Sequence, residues 1–277
     1  TAQIEIVGPL NLTVQTTKEF YYLGENITIY GNTTIKNSPV SCLVGLEVWT
    51  LEGTKLTRVV NSGVTESSGP WPLNVLSFYP SDDQANPKSS FSAGTPSYFT
   101  VNIESLLDEN IPVLLTVNLF DKYNTPFGIG ISQTILPAGT SQMYIIGIYV
   151  PSQTINGDAK AYLNIYSKFP REGGIPYIPE HSASFQITGG STITPPTFPP
   201  YNQTFSAHYN VSFRLPPSGG LAKWKVYATA SYKIQKAKAE TDFVAANLFV
   251  DDDKPADFNT IQSAINAAHH MDTIYIY

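Results

Sequence analysis

Apolar residues fall on every second position in one segment after another of this chain, and that spacing constrains its fold more than any other feature. Ile4 and Ile6 flank one polar residue, as do Leu12 and Val14, Ile27 and Ile29, and Leu46 and Val48. Successive side chains of a strand point to opposite faces, so this period describes strands with one face buried. Gly24-Glu25, Gly31-Asn32, Asn37-Ser38-Pro39 and Glu52-Gly53 separate these runs as turns. The 17 Tyr, 21 Pro and 19 Gly suit strands and tight turns. Helix formers are sparse before residue 257, so the expected class is all-β.

Strands are expected again at 98–103, 113–120, 129–135, 143–150, 159–166 and 183–187, after a loop-rich stretch over 68–97. These make a full set for a two-sheet sandwich. The reading therefore gives one β-sandwich over 1–70 and a second over 71–188. Residues 189–203 are a Pro-rich linker of extended geometry. Residues 204–247 repeat the second half of the preceding unit: Gly157-Asp158-Ala159-Lys160-Ala161-Tyr162 is matched by Gly220-Leu221-Ala222-Lys223-Trp224-Lys225. Only about four strands fit there, which leaves an incomplete module with an open edge or an apolar face. Residues 248–277 form a short terminal segment of helix and strand.

Two resemblances follow. Tyr21-Tyr22-Leu23-Gly24-Glu25-Asn26-Ile27-Thr28-Ile29 resembles a hairpin of immunoglobulin-like and macroglobulin-like extracellular modules, which implies tandem immunoglobulin-like sandwiches. Phe249-Val250-Asp251-Asp252-Asp253, the helix-forming Thr260–Ile265 and the strand Asp272–Tyr277 resemble the first turn of NosD-like and pectate-lyase-like parallel β-helix domains. A solenoid rung buries its apolar face only against further rungs. At most one rung is present. Within the helix, Phe258, Ile261, Ile265 and Ala268 share a face expected to plug the open end of a solenoid or a neighbouring sandwich. In style the chain resembles prokaryotic, archaeal in particular, surface-layer-like and filament proteins.

These features favour a structural subunit of an extracellular filament or surface layer over an enzyme. A neighbouring copy is expected to complete residues 204–247 by strand donation, head to tail. The candidate donors are the alternating segment with Ile4 and Ile6 and the segment with Ile274 and Ile276. The competing reading is an accessory region of a β-helix polysaccharide-active enzyme or adhesin whose remaining part follows Tyr277. The start at Thr1 reads as a mature terminus left by signal cleavage.

Motifs for chemistry are sparse. A net charge of −6 with no basic stripe argues against nucleic acid. Lys223, Lys225, Lys233, Lys236 and Lys238 read as a solvated strand face. No apolar run reaches the ~18 residues of a membrane span. Cys42, the sole cysteine, lies in an apolar run and reads as a buried, inert thiol. His181, His208, His269 and His270 have no partner at ligand spacing, and no nucleophile motif is present. Asp251, Asp252, Asp253 and Asp257 are candidates for calcium, with the turn into a capping helix as the competing role. Asp82, Asp83, Glu172 and Glu180 are loop carboxylates. Glycosylation sequons occur at Asn11, Asn26, Asn32, Asn202 and Asn210. Trp71, Tyr177 and Tyr201 are candidate contacts for cell-surface glycans.

Overall fold

The computed structural model describes residues 9–50, 55–61, 71–199, 206–217, 223–251, 256–269 and 272–276. It is all-β, with one short α-helix, Ile261–Ala267, among the described residues. Most strands form two cores of facing sheets, the first of which also carries a small sheet of Leu10–Leu12, Thr33–Ile35 and Ser38–Pro39, and the chain enters this first core twice.

The first core has a five-stranded sheet in the order Phe20–Tyr22, Gln235–Ala246, Lys223–Tyr232, Leu43–Thr50, Lys55–Asn61. Facing it is a sheet in the order Tyr209–Arg214, Asn26–Gly31, Gln15–Thr16. The alternation read from the sequence holds here. Ile27 and Ile29 from one sheet meet Val44, Leu46, Val48, Val226 and Phe243 from the other. The division into separate modules at 1–70 and 204–247 is therefore corrected. Tyr209–Arg214 pairs with Asn26–Gly31, and Lys223–Tyr232 pairs with Leu43–Thr50. The half-sandwich is completed by the first segment of its own chain. Periodicity shows that a strand needs a partner, but pairing registers across more than 160 residues leave no mark on it.

The second core is inserted between these halves. Its five-stranded sheet runs Ser90–Ser92, His181–Thr188, Gly157–Tyr166, Ile111–Asp121, Pro126–Leu136. Its three-stranded sheet runs Ser141–Tyr149, Pro96–Ser105, Leu73–Ser81. Leu73–Ser81 was expected to be loop. It is an edge strand, where Pro80 is tolerated because its missing N–H is not needed on the outer side.

The two cores are joined along Leu43–Thr50 and the neighbouring Lys55–Asn61. Leu43–Thr50 is buried on both faces: Val44, Leu46 and Val48 face the first core, while Leu43 packs with Val59, Leu114, Tyr166 and Phe169. Gly45 admits the Tyr166 ring, because a Cβ there would lie 2.6 Å from its Cε1. Burial of Leu43, Val59, Leu114 and Phe169 contributes ~1.5–3 kcal/mol each, before ordering costs.

The tail closes one parallel turn on the first core. Leu248–Val250 pairs in parallel with Ile274–Ile276, in the register Leu248↔Ile274, Phe249↔Tyr275, Val250↔Ile276. Phe249 and Tyr275 pack with Phe20, Val244 and Ala246. The strand Gln235–Ala246 is thus covered on its second face only near this end. Thr260 caps the helix by accepting from the Ser263 N–H at 3.2 Å.

Candidate functional site

The coil formed by Leu248–Val250, the helix and Ile274–Ile276 is the first candidate site. Asp257 holds it shut: one carboxylate oxygen accepts from the Tyr22 hydroxyl at 2.9 Å, the other from the Phe249 N–H at 2.9 Å. Asp251 is buried. Asp252 and Asp253 lie outside the described residues. No group of three metal-ligating side chains converges among the described residues. Of the four acids, Asp257 supplies the tether. Within this chain Ala264 is the buried residue of the helix, while Ile261 and Ile265, on the face expected to act as a plug, are 48% and 52% exposed. Ile274 is half-buried and Ile276 is exposed. Their strand has Leu248–Val250 on one side and no strand on the other among the described residues. Ile4 and Ile6 lie outside the described residues.

The second candidate site is a cleft of about 940 Å³ where the two cores meet. Arg58, from the edge strand of the first core, donates through Nε to both carboxylate oxygens of Glu180 at 3.2 and 3.1 Å. Its guanidinium lies 4.1 Å from the centre of the Tyr162 ring and 5.5 Å from that of Phe120. Burial pushes the Glu180 carboxyl up to about 7, against the pull of Arg58 and of a hydrogen bond from Asn164. The turn Asp121–Thr125 forms the floor. Asp121 accepts from the Tyr123 and Thr125 N–H groups, and Asn124 donates to the Ser212 carbonyl at 2.7 Å. Asp158 accepts from Gln186 at the rim.

Below this cleft, two asparagines occupy the apolar strands of the inserted unit. Asn164 Oδ1 accepts from the Val59 N–H at 2.7 Å, and Asn118 bonds both the N–H and the carbonyl of Thr57. They satisfy the outer edge of Lys55–Asn61, which would otherwise be a row of unpaired backbone groups. Glu47, fully buried, accepts from the Arg171 N–H at 2.8 Å, and burial raises its pKa.

Sequence reasoning placed none of Arg58, Asn118 or Asn164. The signal available was a polar residue inside an apolar run, as in Val117-Asn118-Leu119 and Leu163-Asn164-Ile165. Glu180 is drawn out of the loop-carboxylate set into the junction, whereas Asp82 only ties its own turn through Gln84 and Asn86. Among the sequons, Asn11, Asn26 and Asn210 are exposed and Asn32 is half-buried, while Asn202 lies outside the described residues. Asn210 lines the cleft. Cys42 is buried, with its thiol pushed up to about 11 by desolvation. The Lys face is cross-paired, Lys223 with Asp242 and Lys225 with Glu240. Trp71 packs against two apolar clusters, and the Tyr177 hydroxyl donates to the Pro112 carbonyl at 3.1 Å. Tyr201 lies outside the described residues. Of the histidines, His208 bonds the Thr33 backbone and His269 lies 3.5 Å from Asp272. No helix of the described residues is long and apolar enough to cross a membrane.

No family model matches the chain, and no curated protein sequence does. Among solved structures, it is similar to the C-terminal domain of Wzt (TM-score 0.37, 10% identity, 48% of this chain and 87% of that one). It is also similar to a β-glucosidase from Listeria innocua (TM-score 0.30, 13% identity, 46% and 17%). A third likeness is to a tetra-tandem repeat in the extending region of a large adhesion protein (TM-score 0.25, 10% identity, 86% and 74%). At these scores the likenesses assign neither family nor function.

Proposed function

We propose that this chain is a non-catalytic structural subunit of an extracellular surface assembly. Its two immunoglobulin-like units serve as the body, and the terminal coil is the joint to the next subunit. The observation that carries this reading is the group of half-exposed apolar side chains Ile261, Ile265 and Ile276 around the terminal strand Ile274–Ile276, which pairs with Leu248–Val250 and with no second strand among the described residues. Short parallel pairs are stabilised by burial on both faces, and this one is buried chiefly on the side of Phe20 and Phe249. Strand donation into residues 204–247 loses its motive, because the chain fills that gap itself. The acceptor moves to the coil edge, and the donor is the alternating segment with Ile4 and Ile6 of a neighbouring copy. Partners in this reading are further copies of the chain and cell-surface glycans.

Sedimentation velocity across a concentration series tests the reading. Assembly is expected for the wild-type chain. Deletion of residues 1–7 and the Ile276→Lys substitution are each expected to leave monomers. Persistence of polymers in both variants would contradict the joint. The second reading, a base on which further solenoid rungs stack, is favoured by the parallel register Phe249↔Tyr275. It predicts a wild-type monomer at every concentration.

A further inference from the structure

We propose that the cleft between the two cores is a binding site for a neutral, hydroxyl-rich ligand, a short oligosaccharide by chemical class. Its size, about 940 Å³, falls within the 300–1,000 Å³ range of small-molecule sites. Its lining decides the chemistry. Arg58, Lys122 and Lys160 are matched by the carboxyl groups of Asp121, Asp158 and Glu180, so the lining has no strong excess of positive charge to favour a phosphate or a uronate. Amide and hydroxyl groups from Ser89, Ser184, Gln186 and Asn210 supply both donors and acceptors, and all four residues are exposed. The half-buried Tyr162 supplies apolar surface, backed by the buried Phe120 and Phe185. A sugar ring presents the same combination: hydroxyls that donate and accept around its edge, with C–H groups on its faces.

The site is also fixed in shape before a ligand arrives. Arg58 is held between Glu180 and the Tyr162 ring, and Asn124 pins the floor to Ser212. A preorganised wall reduces the ordering cost of binding. The assignment names a site for the glycan partner of the surface-protein reading, yet binding is measured on the monomer and does not depend on assembly.

Calorimetric titration of protein made in a host without N-glycosylation, which leaves Asn210 unmodified, provides the test. The probes are linear hexasaccharides of glucose, mannose and galactose, with a hexauronate as the charged control. At least one neutral hexasaccharide is expected to bind with a Kd below about 1 mM, and the hexauronate at least about tenfold more weakly. Ser184→Trp, which fills the cleft from an exposed strand position, and Gln186→Ala are expected to weaken binding about tenfold or more. Met143→Ser, on the other sheet of the inserted unit, is the folded control and is expected to bind as wild type. No binding by any neutral probe, tighter binding of the hexauronate, or binding unchanged by Ser184→Trp would each overturn the assignment. Sedimentation of the Ser184→Trp chain separates the outcomes: polymers formed without ligand binding would remove the cleft and leave the joint at the coil.

Discussion

The side chain of Asn164 accepts a hydrogen bond from the backbone N–H of Val59 at 2.7 Å, across 105 residues of sequence and the boundary between two cores. Through this bond and its counterpart from Asn118, the inserted unit seals the edge strand of the unit it interrupts. An interrupted sandwich with a bare edge would invite pairing with another chain. Here the insertion removes the hazard that it would otherwise create.

Asn164→Ala is expected to destabilise the protein by about 1–3 kcal/mol, because the buried Val59 N–H loses its partner. Asn164→Leu is expected to be no better, since the amide stays buried and unpaired. Urea unfolding at fixed pH measures both. Unchanged stability in the alanine variant would mean that the edge is satisfied by something other than Asn164.

Stability should fall as pH rises from about 4.5 to about 7. The Glu180 carboxyl is held at about 7 in the folded chain, chiefly by burial, against an ordinary value of 4.5. Between these values the native state binds more protons than the unfolded state, so the slope of stability against pH is negative. At 1.36 kcal/mol per pH unit the interval corresponds to roughly 3 kcal/mol at most. Burial pushes Glu47 in the same direction. Glu180→Gln should therefore flatten part of the slope, and a slope identical to wild type would contradict the assignment to Glu180.

Tyr166→Phe should leave stability unchanged or raise it. The Tyr166 hydroxyl is fully buried and has no hydrogen-bond partner among the described residues, so its removal relieves a desolvated polar group. Tyr177→Phe, which deletes a bond to the Pro112 carbonyl, should instead cost about 0.5–1.5 kcal/mol. Thermal unfolding of the pair gives the comparison, and the opposite order would refute it.

Phe249→Ala should release the coil without melting the cores. Phe249 makes ring contacts with Phe20, Tyr22 and Tyr275, and truncation of a buried phenylalanine costs about 3–5 kcal/mol. In hydrogen exchange, the amides of Leu248–Val250 and Ile274–Ile276 should lose protection while those of Val226 and Leu115 keep theirs. Uniform loss across both cores would show that the coil is part of the folding unit.

Much of this architecture was legible in the residues. The alternation at Ile27/Ile29 and Leu46/Val48 reports burial on one face, which is a local property, and the structure keeps it. The parallel turn at Phe249 and Tyr275 follows a resemblance carried by a short stretch of residues. The domain layout was not legible. Tyr209–Arg214 alternates as any half-buried strand does, and nothing local records that its partner is Asn26–Gly31 rather than a strand of another copy. Leu73–Ser81 was hidden by Pro80, which marks an edge as readily as a loop. The junction was hidden for another reason: Asn118, Asn164 and Glu47 stand in apolar runs where a polar residue signals a specific partner without naming it. The cleft, built from six separate segments, had no sequence signature at all.

The joint itself can be read out by cross-linking between copies. Cys42 is buried, so cysteines placed elsewhere report cleanly. Chains carrying only Ile6→Cys and chains carrying only Ile276→Cys would be oxidised separately and as a mixture. The account predicts a disulfide-linked pair of the two different chains that forms in the mixture and in neither chain oxidised alone. Absence of that mixed product at concentrations where the wild-type chain sediments as polymer would contradict the coil edge as the place where subunits meet.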